Sequence, residues 1–263
     1  MLMIAVVGLG AGMNLETVAR AGLQGIGYTV VSISLSLALG LLLARLLKVE
    51  GQTGLLIAVG TAICGGSAIA AVAPAVRAKE HEVSVSLGTV FMLNALALFV
   101  FPPAGHALGL SETQFGLWSA LAIHDTSSVV GASQMYGPEA LQIGTTVKLA
   151  RALWIVPITF IIGSWVNRGQ KGQTQAKAKR PWFILGFLLV AALVTYIPAL
   201  QPAGHLVEWA ARRALVVTLF LIGASLTRAT LAAVGFRPFA QGILLWIIVA
   251  GTTLGALLTG WVH

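Results

Sequence analysis

Residues 119–157 read SALAIHDTSSVVGASQMYGPEALQIGTTVKLARALWIVP. In an otherwise apolar chain this stretch gathers His124, Asp125, Thr126, Ser127 and Ser128, then Lys148 and Arg151, and Asp125 is the only aspartate in the sequence. An upstream stretch echoes it. Ala62-Ile63-Cys64-Gly65-Gly66-Ser67-Ala68-Ile69 aligns with Ala122-Ile123-His124-Asp125-Thr126-Ser127-Ser128-Val129. Further on, Thr89, Val90, Leu93, Ala95 and Leu96 align with Thr146, Val147, Leu149, Ala152 and Leu153 after a one-residue adjustment at the leucine, which sets Asn94 against Arg151. Each copy closes on a proline, Pro102 and Pro157. A polar break followed by a membrane-length segment, present twice, is the pattern of a transporter built from internal repeats.

Composition sets the solvent. Hydrophobic residues make up 57% of the 263 positions and charged residues 9%, where soluble domains carry about 25% charged residues. With a mean hydropathy of +0.91, the chain reads as an all-α, polytopic integral membrane protein, one domain over 1–263. The net charge of +8 lies between apolar runs and reports topology rather than nucleic-acid binding. A single cysteine, Cys64, excludes an internal disulfide.

Apolar segments occupy 24–47, 83–103, 140–166, 182–200, 206–227 and 239–262, and 1–13 reads as the end of a longer helix. About seven transmembrane helices are expected, with two interrupted segments, 53–78 and 113–137, that either cross as broken helices or turn back as re-entrant hairpins. Residues 167–181, NRGQKGQTQAKAKRP, form a basic loop that is placed in the cytoplasm. Hairpins put more lysines and arginines on that side than crossing helices do, and they insert the two repeats from opposite faces. A weaker echo pairs Gly10–Gly22 with Gly223–Gly235.

Backbone that leaves the helix inside a bilayer persists only where protein or a wet cavity satisfies it. Gly65 and Gly66 permit the first turn, and Ser67 is placed to cap the half-helix that follows. Asp125, Thr126, Ser127 and Ser128 offer more capping side chains than one helix start needs. Lys148 and Arg151, three apart, share a helix face inside an apolar span, where each cation costs about 2.5–3.5 kcal/mol to insert. A planar guanidinium suits an oxyanion, although Asp125 is an alternative partner for Arg151. His124, whose reference pKa lies near about 6.5, is the proton-linked candidate together with Asp125. Asn94 is a donor from a facing helix or a plain interhelical bond. Glu80 and Glu82, among Arg77, Lys79 and His81, read as a solvated turn.

These residues resemble those of the YeiH (UPF0324) family of bacterial membrane proteins, described as sulfate exporters. The likeness rests on AICGGSAIAAVAPAVRAKEHEVSVSLGTVFMLNALALFVFP (62–102), FGLWSALAIHDTSSVVGASQMYGPEAL (115–141), TTVKLARALWIVPITF (145–160) and GASLTRATLAAVGFRPF (223–239). It implies a multi-spanning secondary transporter with inverted repeats, related to the cation/proton antiporter and bile-acid symporter-like architecture, moving by rocking or elevator-like alternating access. It also implies further N-terminal hydrophobic segments ahead of this chain. Many relatives read His-Glu-Val-Ala-Gln where this chain has His124 to Ser128, which implies branches differing in substrate or coupling ion.

The expected function is therefore secondary transport of a small inorganic or sulfonate-type anion, sulfate by preference, across the bacterial inner membrane. Substrate contacts are assigned to Gly65, Gly66, Ser67, Asn94, Thr126, Ser127, Ser128, Lys148 and Arg151, and proton coupling to His124 and Asp125. A proton- or sodium-coupled organic-acid carrier is the alternative. A membrane-embedded enzyme using Cys64 or Asp125, or a non-transporting subunit, stands in another class. Few carboxylates and no metal-ligand spacing argue against an enzyme. No cofactor is implied; the partners are the anion, the bilayer and, as a candidate assembly, a second copy of the chain.

Overall fold

A carboxylate organises each interrupted segment. In the computed structural model, which describes residues 2–12, 15–166, 182–224 and 234–261, Glu82 accepts from Gln52 N at 2.9 Å through Oε1 and from Lys79 N at 2.7 Å through Oε2. Segment 53–78 thus begins and ends at one point. Its helices, α3 (Thr53–Ala62) and α4 (Gly66–Ala75), fold back on each other: a Cβ at Gly60 would meet Ile69 Cδ1 at 3.0 Å. The solvated turn expected around Glu82 is corrected here. Glu82 is buried, because two backbone N–H groups and the positive-φ Gly51 close over its carboxylate.

The second segment repeats the device. Helix α6 (Glu112–Ala122) starts on a capping box in which Ser111 Oγ accepts from Gln114 N. Helix α7 (Thr126–Tyr136) returns beside it. Phe115 stacks on Tyr136 with centroids 3.8 Å apart, and the Ser119 and Ser133 hydroxyls lie 2.9 Å apart. Residues so distant along one straight helix could not meet, so 112–136 is a helical hairpin. The Glu112 carboxylate accepts from Glu139 N at 2.8 Å and Ala140 N at 3.4 Å, closing its mouth.

Helix α5 (Glu80–Ala107) joins the two hairpins. Its 28 residues reach about 42 Å at 1.5 Å per residue, enough to cross the roughly 30 Å hydrocarbon layer. Hairpin α3–α4 opens at its start and α6–α7 just past its end, so the two point toward each other from opposite ends. Leaving the second mouth, the chain runs through α8 (Pro138–Ala152) and α9 (Ile155–Val166) back toward the first, where a Cβ at Gly163 would lie 3.3 Å from Ala75 Cβ. Pro157 explains the break between them: it lacks the N–H that would bond Leu153 O, and its ring crowds that carbonyl.

The remaining described helices are α1 (Leu2–Leu9), α2 (Leu15–Leu46), α10 (Trp182–Tyr196), α11 (Gln201–Ala224) and α12 (Phe236–Leu258). Gln241 of α12, fully buried, donates to Gly40 O of α2 at 3.1 Å and Gly54 O of α3 at 2.9 Å, pinning three helices together. Exposed Leu, Val, Ile, Phe and Trp side chains line the outer surface, among them Phe99, Phe160, Leu189 and Ile247, as a lipid-facing exterior requires.

No β-strand occurs among the described residues. Among the described residues, four helical spans are long and apolar enough to cross a bilayer, and a pair bent by 110°, Leu185–Tyr196 with Pro198–Ala211, would make a fifth. About seven were expected. In the C-terminal third, the described part of α10 ends ahead of Pro198 after 15 residues, short of the about 20 a crossing needs. The loop 167–181 lies outside the described residues, as does most of the Gly223–Gly235 echo.

Candidate functional site

The two hairpin tips touch. Gly65, the N-cap of α4, has φ +67° and ψ −129°, a region open to glycine, and a Cβ there would stand 3.2 Å from both Cα and Cβ of Asp125. Close approach and backbone sign thus demand the same residue. Gly65→Ala is expected to destabilise the protein by about 1–3 kcal/mol, the usual cost of a strained non-glycine conformation, and to push the tips apart. A melting midpoint equal to that of the parent would contradict this.

Asp125 caps α7, accepting from Ser127 N at 3.0 Å and from Ser127 Oγ, while its own N–H donates to Asn94 Oδ1 on α5 at 3.2 Å. Thr126, Ser127 and Ser128 are buried behind it. The first tip differs. The cap expected of Ser67 is not made, since Gly65 is the N-cap, no side chain bonds there, and Ser67 is exposed. Gly66 packs against the Phe91 ring, at 3.0 Å from a would-be Cβ.

Arg151 and Lys148, on one face of α8, are fully buried and reach across to the ends of the hairpins' first arms. Arg151 Nε donates to Ala62 O at 2.7 Å and Nη2 to Thr61 O at 3.5 Å, at the end of α3. Its Nη1 donates to Leu121 O at 2.7 Å and Ala120 O at 3.4 Å, at the end of α6. Lys148 Nζ adds bonds to Ile123 O at 2.7 Å and Ala120 O at 3.3 Å. A helix that stops inside the protein leaves its last carbonyls unpaired and partly negative. Two cations on one helix satisfy two such ends at once. Neither snorkels to an interface, and Nε, Nη1 and Nη2 of Arg151 all face carbonyls. The alternative partner, Asp125, is engaged at α7.

The repeat alignment acquires a structural meaning here. Asn94 on α5 holds the tip of the second hairpin, and its aligned residue Arg151 on α8 holds the tip of the first. Asn94 thus reaches across to the second hairpin, while Arg151 bonds the first-arm ends of both.

Buried polar atoms on the two tips and the helix beside them have no protein partner: both ring nitrogens of His124, Asn94 Nδ2 and the Thr61 hydroxyl, and, on α8, the hydroxyls of Thr145 and Thr146. Desolvating a donor or acceptor without replacing its bond costs about 1–3 kcal/mol, so such a cluster marks where a ligand or solvent belongs. Trp246 Nε1 on α12 is likewise unpartnered, and its ring centroid lies 6.4 Å from that of His124. The sequence reading missed Thr61, Thr145, Thr146 and Trp246. Thr145 precedes Lys148 by one turn, and that i,i+3 relation was the available signal. Cys64, the native thiol, is buried at the first tip.

These features define an all-helical membrane protein whose core is two helical hairpins meeting tip to tip, clasped by a pair of buried cations. A family profile described as Conserved hypothetical protein 698 matches residues 1–242. Among curated proteins, a UPF0324 membrane protein of Bdellovibrio bacteriovorus is 69% identical, over 100% of this chain and 81% of its own length. UPF0324 membrane proteins of Bacteroides thetaiotaomicron and Vibrio parahaemolyticus are 49% and 46% identical, covering 97% and 98% of this chain and 76% and 83% of theirs. The chain belongs to the UPF0324 membrane protein family. No solved structure matches it.

Proposed function

We propose that the chain is a secondary transporter that carries a small inorganic or sulfonate-type anion, sulfate first, by alternating access, with His124 and Asp125 linking transport to protons. The reading rests on one observation: two helical hairpins opening at opposite ends of α5 bring their tips together around buried, unpartnered polar groups. In a bilayer both hairpins are then re-entrant, related as inverted repeats, and the tips lie near mid-membrane, where carriers of this kind hold substrate.

Charge favours an anion. The C-terminal ends of α3 and α6 carry roughly −0.5 each and the N-terminal ends of α4 and α7 roughly +0.5 each, so the dipoles cancel. Counted formally, Arg151 and Lys148 against Asp125 then sum to about +1. A sodium-coupled organic-acid carrier would ask Asp125 to hold the cation, and that carboxylate already serves Ser127. The same tips carry no paired acid and base arranged for covalent chemistry, and we read the protein as a carrier, not a catalyst.

Orientation follows from the mouths. Lys48, Lys79 and Arg237 line a cleft of about 330 Å³ at the first mouth, and the basic 167–181 segment follows α9, which ends beside it. The second mouth carries Glu112 and Glu139. The positive-inside rule puts the first mouth in the cytoplasm of a bacterial inner membrane. Counterflow of radiolabelled sulfate into proteoliposomes preloaded with unlabelled sulfate tests the reading. Accumulation above protein-free vesicles is expected; its absence for sulfate and for sulfonates alike would overturn the anion carrier.

A further inference from the structure

His124 is 1% exposed, and neither Nδ1 nor Nε2 meets a protein donor or acceptor. A neutral imidazole buried this way leaves one N–H and one lone pair unmatched. Asn94 points the same way. Because its Oδ1 accepts from Asp125 N, the amide orientation is set and Nδ2 is left as a free donor. The tips therefore offer neutral contacts, with the cations one layer behind on the carbonyls.

The groups around His124 can be named element by element. Asp125 adjoins it on the second hairpin, and Lys148 of α8 bonds the preceding carbonyl, Ile123 O, with Arg151 one turn further along. The first hairpin contributes the Cys64 thiol beside Gly65. Among the described residues, α5 contributes Asn94 and α12 contributes Trp246. Counted formally, with Arg151 and Lys148 as cations and Asp125 as a carboxylate, the described groups of the junction sum to one net positive charge.

We infer that this site takes one net negative charge: a monovalent oxyanion enters alone, and a divalent one enters only with a proton, which binds a ring nitrogen of His124. The inference rests on the anion-carrier reading above. The proton passes from bulk water to the imidazole lone pair, and no bond of the anion forms or breaks. A dianion without that proton would leave an uncompensated charge inside the bilayer, and a monoanion with it would leave one of the opposite sign; both are disfavoured by the desolvation of buried charge. Valence, not shape, then sets the proton stoichiometry.

The test uses proteoliposomes of the full chain with an entrapped pH-sensitive dye, the membrane potential clamped by potassium and valinomycin. Radiolabelled sulfate is expected to enter with one proton each, and its flux to rise about tenfold per pH unit lowered while His124 is mostly unprotonated, the slope of a one-proton linkage. Radiolabelled methanesulfonate is expected to enter with no dye response and a flat pH profile. His124→Gln should abolish the dye response to sulfate and flatten the pH profile of the sulfate flux that remains. Sulfate entry without acidification, or protons accompanying methanesulfonate, would overturn the inference and leave the carrier standing. If neither anion moves, the carrier reading falls and this falls with it. Should the glutamine variant fail to fold, the dye signal of the unaltered protein decides alone.

Discussion

Arg151→Met is expected to lower the stability of the purified protein by about 3–5 kcal/mol, the range for removing one member of a buried, charge-bonded set. The side chains are similar in volume, so the loss is electrostatic rather than a cavity. Ala62 O and Leu121 O each lose a 2.7 Å bond, and both sit at helix ends whose dipoles sharpen the cost. Relief from burying a charge offsets part of this but restores no partner to the carbonyls. Arg151→Lys should fall between: it keeps the charge, but one ammonium cannot bridge the ends of α3 and α6 as a guanidinium does. Thermal unfolding in mild detergent reads the effect. If the methionine variant melts with the parent, the carbonyl contacts do not hold the hairpins.

That expectation differs from the one residue type alone supports, and the difference shows where sequence runs out. The breaks at Gly65 and Asp125 were legible because glycines and capping side chains are rare in apolar spans, and the internal echo fixed their correspondence. Arg151 and Lys148 were legible as functionally constrained because an intramembrane cation is costly. Their partners were not. Backbone carbonyls of Ala62 and Leu121 carry no side-chain signature, and only the folded arrangement of α3, α6 and α8 brings them together. Ser67 failed for a related reason: the left-handed Gly65 ends the turn one step early and leaves the serine outside. Glu82 was masked by Arg77, Lys79 and His81, whose charges make its neighbourhood look solvated. Gln241 sits in an apolar run with nothing in the local pattern to say that it reaches Gly40 and Gly54.

Glu82→Ala is expected to produce the second largest effect, and to produce it locally. Its carboxylate joins the backbone N–H groups of Gln52 and Lys79, the two ends of the first hairpin. Charge-assisted bonds of this kind contribute about 1.5–3 kcal/mol each, but water at the mouth replaces part of what is lost, so a fall of about 2–4 kcal/mol is anticipated. Ser86 Oγ still bonds Thr53 O and Glu82 O, so α3 stays registered on α5 while the mouth opens. Amide exchange at Gln52 and Lys79 should therefore quicken far more than exchange near Gly65 and Asp125. Glu112→Ala, at the opposite mouth, should show the same pattern more weakly: that carboxylate is only half-buried, and its bond to Ala140 N is long at 3.4 Å. Equal exchange at mouth and tip in Glu82→Ala would mean that the hairpin opens as one unit, and the carboxylate would then be a part of the core rather than a clasp on its edge.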